Sequence, residues 1–148
     1  TKPGSTCDSP VISTDFYPTL LQLAGQPLKP EQHLDGVSFV PLLKGENTPR
    51  GKPLFWHYPH YSNQGGAPHG TIRDGDWKLS EWYEDGALEL YNIPKDIGEK
   101  NDLAKAQPDK VKDLHARLVA WRKEVGAMMP TPNPNQSSRP EKQRKKKK

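Results

Sequence analysis

The feature that most constrains the fold is one apolar stripe near the end of the chain. Val111, Leu114, Leu118, Trp121 and Val125 recur at intervals of 3, 4, 3 and 4, the period that puts side chains on one face of an α-helix. Pro108 stands at a helix opening, where a missing N–H costs nothing, so the spacing predicts a helix from Pro108 to about Val125. Asp109 with Lys112, and Asp113 with Arg117, are spaced for weak surface pairs. A single stripe calls for a single apolar partner surface, and the preceding segments have the pattern of a sheet. In 51–58, Leu54, Trp56 and Tyr58 alternate with Phe55 and His57. Thr71-Ile72-Arg73 and Trp77-Lys78-Leu79 flank Asp74-Gly75-Asp76, a strong hairpin signal. Leu88 to Tyr91 follows a second turn at Asp85-Gly86. Residues 59–69 read as a Pro/Gly/Asn/His loop and 94–103 as a polar connection.

An earlier helix is expected over 16–24. Asp15 is placed to cap its first turn, Pro18 falls where no intrahelical donor is needed, and Gly25 suits a left-handed end. Phe16, Leu20, Leu23 and Ala24 share one face. Residues 26–36 form a loop, and Val37 to Leu43 a short apolar patch closed by Lys44-Gly45. The order helix, strands, helix defines an α+β fold: a small antiparallel sheet of about four strands covered by a long C-terminal helix.

The chain has 148 residues, of which 32 % are apolar, with 16 prolines and 12 glycines. That composition implies a small core, completed by something outside the chain. The net charge of +4 is misleading. Arg139, Lys142, Arg144 and Lys145 to Lys148 outweigh Glu141 by six charges, which leaves residues 1–138 near −2. The basic end is read as a solvated tail, and loose, salt-screened attraction to a polyanion is the competing reading. No apolar run approaches the roughly 20 residues of a membrane span, and Thr-Lys-Pro-Gly-Ser at the start is not a signal peptide. The chain reads as cut from something longer.

No catalytic constellation is evident. Cys7 is the sole cysteine and has no cation or His beside it to lower its pKa, so it is read as structural. His57, His60 and His69 lie within thirteen residues. Three imidazoles can hold zinc, but no Cys or clear carboxylate joins them, and a hydrogen-bonding surface for a polar ligand fits better. Arg73 can grip an anion in a two-point fork; its plainer role is a surface pair with Asp74 or Asp76. Trp77 and Trp121 are read as core, and Trp82-Tyr83 as less settled because an exposed turn follows. Aromatics interleaved with charge also permit stacking on bases or sugars.

Several segments, in order, resemble the C-terminal end of the type I, formylglycine-dependent sulfatases, the arylsulfatase group. Asp15-Phe16-Tyr17-Pro18-Thr19 through Ala24-Gly25 is similar to that family's late helix, and Asp35-Gly36-Val37 through Lys44-Gly45 to the segment after it. Ile72-Arg73-Asp74-Gly75-Asp76-Trp77-Lys78-Leu79 resembles its hairpin. Glu89-Leu90-Tyr91-Asn92-Ile93, then Asp96, Glu99, Asn101 and Leu103, resemble its last strand and turn. The resemblance covers roughly residues 8–126. It implies a division into 1–45, the end of a large α/β catalytic domain to which the first helix belongs, 46–130, a C-terminal subdomain, and 131–148, a disordered basic tail.

For the parent, the resemblance implies hydrolysis of aryl sulfate or sulfated-glycan esters, with calcium and a formylglycine made from Cys or Ser. Cys7 does not match that motif, since no Arg stands four residues on. The family's metal-binding and catalytic residues lie before the matched region, so this chain carries no catalytic or metal-ligating residue. What carries over is support of the fold and shaping of the substrate mouth, with His57, His60, His69 and Arg73 as substrate-binding candidates. The implied partners are the missing N-terminal sulfatase domain and a sulfated substrate, with no specific nucleic acid and no membrane span. Export to periplasm, lysosome or the outside is the family expectation. A stand-alone basic module binding sulfated polysaccharide or nucleic acid is the competing function.

Overall fold

The computed structural model describes residues 1–63 and 65–133, and the basic end from Arg139 to Lys148 lies outside them. The chain divides into two units, Thr1–Pro53 and Leu54 onward.

In the first unit a short 3-10 turn, Ser13–Asp15, runs into α1 (Phe16–Leu23), and a second short helix, α2, spans Val40–Leu43. The expected helix is therefore present, closed by Ala24 and by Gly25 at φ +67°. Its cap differs from the expectation. The Asp15 carboxylate does not bond the first turn of α1. It turns away and accepts the N–H of Ile12 at 2.9 Å and of Val37 at 2.8 Å, and it pairs with the Arg50 guanidinium. Thr19 repeats the device one turn on: its hydroxyl donates to the Asp15 carbonyl at 2.7 Å and accepts the Phe39 N–H at 3.0 Å. Gly36 closes the joint, since a Cβ there would stand 2.4 Å from the Thr14 carbonyl oxygen.

This polar clamp occupies the inner side of α1, where Asp15, Pro18 and Thr19 are buried. The apolar face read from the sequence points elsewhere. Phe16, Leu20 and Leu23 are 55, 60 and 59 % exposed, although Phe16 meets the Phe39 ring edge-on at 5.3 Å. Burial raises the pKa of the Asp15 carboxyl, but Arg50 and the two backbone N–H groups outweigh it and hold the group below the usual carboxylate range.

The second unit is a four-stranded antiparallel meander with a helix. The strands β1 (Leu54–Tyr58), β2 (His69–Asp74), β3 (Trp77–Trp82) and β4 (Leu88–Asn92) lie in sequence order, and α3 spans Pro108–Glu124. The β2–β3 turn is Gly75-Asp76, one residue later than the Asp-Gly signal implies, with Gly75 at φ +55°, a conformation glycine adopts without steric cost. Phe55, Ile72, Leu79 and Leu90 stand opposite one another across all four strands. The α3 stripe packs on that row. Ile72, Leu79, Leu90, Leu114 and Leu118 are fully or almost fully buried, with Val111, Trp77 and Trp121 at the margin. Phe55 and Trp121 stack at 4.8 Å. Each buried aliphatic side chain is worth about 1.5–3 kcal/mol, so this row and stripe are the main cohesion of the unit.

Leu103 completes the core. Its N–H donates to the Leu90 carbonyl at 2.8 Å. Asp102 accepts the N–H groups of Leu90 and Ala104, and Asp96 those of Lys100 and Asn101. The polar connection of 94–103 is thereby a fixed turn in which carboxylates satisfy backbone donors.

Candidate substrate-facing surface

Strand pleat divides the candidate residues between two faces of the sheet. Phe55 and His57 share the α3 face with Gly70, Ile72, Leu79 and Glu81. Tyr58, His69 and Trp82 stand opposite one another on the other face, with Arg73 further along β2.

His57 is committed to holding the segment that follows α3. Its Nε2 lies 2.9 Å from the Met128 carbonyl oxygen and its Nδ1 2.7 Å from the Tyr83 hydroxyl. The Arg122 guanidinium lies over the Tyr83 ring at 5.4 Å and pairs with Glu81 at 2.6 Å, and His115 approaches the same carboxylate at 3.2 Å. Burial pushes the Tyr83 hydroxyl pKa up; Arg122 opposes that shift and Glu81 adds to it.

His60 and His69 come together around Tyr58. Their ring centroids lie 5.8 and 5.9 Å from that of Tyr58, and Trp82 extends the group at 5.2 Å from His69. The His69 Nδ1 lies 2.8 Å from the Ala67 carbonyl. A carbonyl only accepts, so Nδ1 carries the proton and Nε2 is the acceptor of the neutral ring. His60 is exposed. Tyr61, next along, donates its hydroxyl to Glu84 at 2.7 Å, tying the β1–β2 connection to the β3–β4 turn.

Arg73 does not join this group, because four residues of strand separate it from His69, roughly 13 Å. The expected pair with Asp74 is not formed. Asp74 lies on the α3 face and binds Arg117 at 2.9 Å, while Arg73 points to the opposite face, its Nε buried without a partner among the described residues. The sequence reading left Trp82-Tyr83 unsettled and did not single out Tyr58 as a site candidate. The alternation of 54–58 carries the signal for Tyr58, and the Trp82-Tyr83 pair sends one ring to each side of the sheet.

Among the described residues no three His, Cys, Asp or Glu side chains converge as a metal site requires, and Cys7 is exposed. The residues present therefore do not fit the calcium or the formylglycine that the resemblance implies for a parent. The arrangement offers imidazole donors and acceptors, aromatic faces and one guanidinium. That chemistry suits polar and anionic groups.

The second unit is a small antiparallel meander covered by one helix. Residues 1–124 match the family described as N-sulphoglucosamine sulphohydrolase, C-terminal, and the chain belongs to the sulfatases as a C-terminal portion. A sulfatase of Formosa agariphila is 36 % identical over 125 residues, covering 75 % of this chain and 23 % of the relative. The solved structure of a putative sulfatase from Bacteroides thetaiotaomicron superposes with a TM-score of 0.63 at 25 % identity, over 81 % of this chain and 27 % of that one. A second structure, solved with its substrate D-glucosamine-2-N,6-O-disulfate, gives a TM-score of 0.60 at 28 % identity over 76 % of this chain and 24 % of its own. The chain thus spans about a quarter of the length of these relatives. Among the described residues no helix is long and apolar enough to cross a membrane.

Proposed function

We propose that this chain is the C-terminal part of a hydrolase of sulfate esters, in which it supports the fold and shapes the substrate mouth without supplying the reacting groups. The carrying observation is the cluster on the sheet face turned away from α3: His60 and His69 beside Tyr58 and Trp82. Imidazoles donate to sulfate oxygens and exchange hydrogen bonds with sugar hydroxyls. A relative structure holding a disulfated glucosamine as its substrate supports a sulfated sugar as the ligand. Arg73 is the second contact, suited to a sulfate by its fork of donors. His57, with both ring nitrogens engaged, anchors the connection from behind. Nucleophile and calcium belong on this reading to the remainder of the enzyme, and the exposed Phe16, Leu20 and Leu23 of α1 dock there, with residues 1–45 as the end of the catalytic domain. Fractionation of cells making the full-length protein should find it exported.

The test is the double variant His60→Ala/His69→Ala in the full-length enzyme, with Arg73→Ala beside it. The expected result is a KM for a sulfated glycan raised about tenfold or more, because two hydrogen bonds to the ligand are removed, with little change on a small aryl sulfate. Unchanged KM and unchanged preference in both variants would sink the substrate-contact reading.

A further inference from the structure

We infer that Tyr83 is the positioning residue of the β1–β2 connection, holding both of its stems at once; this rests on the proposal that the connection contacts substrate. Three contacts carry it. The Tyr83 N–H donates to the Pro68 carbonyl at 3.0 Å, where the connection enters β2. The Tyr83 hydroxyl lies 2.7 Å from His57 Nδ1, just before the connection leaves β1. Between them the ring lies on Gly70, where a Cβ would stand 2.3 Å from the hydroxyl oxygen and 3.1 Å from Cζ. Any larger residue at 70 would push the hydroxyl off His57.

The polarity of the link follows from the far side of the imidazole. His57 Nε2 faces the Met128 carbonyl, which can only accept, so Nε2 carries the proton. Nδ1 of the neutral ring is then an acceptor, and the Tyr83 O–H donates to it. The ring is backed from α3 by the Arg122 guanidinium, itself held by Glu81. The path runs from α3 through Arg122 to Tyr83, and from Tyr83 to both stems of the segment that presents His60 and His69. Tyr83 touches no substrate on this reading. It fixes where the two imidazoles stand, and a loose supporting shell is costly to any site built on a connection.

The experiment is steady-state kinetics of the full-length enzyme on a sulfated glycan, with Tyr83→Phe, His57→Gln and the two combined, beside His60→Ala/His69→Ala. Phe keeps the ring on Gly70 and removes the hydroxyl, which donates to His57 and is also bonded by Arg122. Gln keeps a donor for Met128 and removes the acceptor for Tyr83. Each single variant is expected to raise KM about three- to tenfold with kcat within about twofold. The combination should be no worse than the poorer single, because both remove one link. In parallel, limited proteolysis well below the melting temperature should cut Tyr83→Phe faster between Tyr58 and Pro68 and no faster elsewhere. If Tyr83→Phe leaves KM unchanged while His60→Ala/His69→Ala raises it, the positioning role is overturned and the substrate reading stands. If both leave KM unchanged, the substrate reading fails and the inference falls with it. A Tyr83→Phe enzyme that only melts earlier, with KM and the local cleavage rate unaltered, overturns the inference as well.

Discussion

Asp15→Asn is the substitution whose effect is best determined by the geometry. Asp15 is fully buried, and the Arg50 side chain is 9 % exposed. Three donors converge on the carboxylate: the N–H groups of Ile12 and Val37 and the Arg50 guanidinium. Asn is nearly isosteric and keeps one acceptor oxygen. Its NH2 must face a donor, and the Arg50 charge is left without its counterion. Removing one member of a buried pair costs about 3–5 kcal/mol; the retained acceptor returns about 1 kcal/mol, which leaves about 3 kcal/mol. Local opening should then be favoured about 150-fold, at about 1.4 kcal/mol per tenfold. All four tryptophans lie in the other unit, so their fluorescence is the wrong probe. Hydrogen exchange with mass spectrometry reads the clamp directly, through peptides containing Ile12, Val37 and Phe39. Arg50→Met should loosen the same peptides, and Asp15→Asn/Arg50→Met should cost less than the sum, because no buried charge is left unpaired. The pH dependence has a fixed sign. The folded pKa lies below the unfolded value of about 3.9, so the contribution is present above that value. It is lost as pH falls through the folded pKa, and Asp15→Asn should remove the dependence. Exchange within threefold of the parent at Val37 and Phe39 in Asp15→Asn would refute the clamp.

Four further outcomes follow from the packing. Leu118→Ala and Leu114→Ala, both in the fully buried core, should each cost about 2–5 kcal/mol in urea unfolding followed by tryptophan fluorescence. Phe55→Leu and Trp121→Leu should show a coupling of about 0.5–1.5 kcal/mol in a double-mutant cycle, since their rings stack at 4.8 Å; additivity would mean the stack adds nothing beyond burial. Arg117→Ala should move stability by no more than about 0.5 kcal/mol, because its pair with Asp74 is solvent-screened. Gly36→Ala should destabilise the first unit by about 1–3 kcal/mol, as its Cβ meets the Thr14 carbonyl, read as faster exchange at Val37.

What was legible in the sequence depended on how far each cause reached along the chain. The α3 stripe and the strand segments are local periodicities, and the elements formed where the periods run: α3 ends at Glu124, with Val125 its cap. Asp15 is the opposite case. A capping rule inspects the next three or four residues, whereas the partners of its carboxylate are Ile12, three residues back, and Val37 and Arg50, 22 and 35 residues away. The Phe16, Leu20, Leu23 face was legible as apolar but not as exposed, because periodicity shows that a face exists and says nothing of what lies against it.

Parity decided the rest. His57 and His69 belong to one His-rich stretch in the sequence, but in the sheet they sit in adjacent cross-strand rows, His57 opposite Gly70 and Tyr58 opposite His69. Adjacent rows point to opposite faces. Phe55 shares parity with His57 and stacks on Trp121, so once Phe55 is assigned to the core, His57 must face α3 as well. The same rule separates Trp82 from Tyr83: Trp82 stands opposite His69, and Tyr83 crosses Gly70 to reach His57. On the proposed reading, a change at Trp82 acts on the surface offered to a ligand, and a change at Tyr83 acts on where that surface stands. Trp82→Leu should therefore alter preference between sulfated sugars while leaving cleavage between Tyr58 and Pro68 unchanged, the reverse of the pattern for Tyr83→Phe. If Trp82→Leu instead speeds that cleavage and leaves preference intact, the division of the two faces into contact and support is wrong.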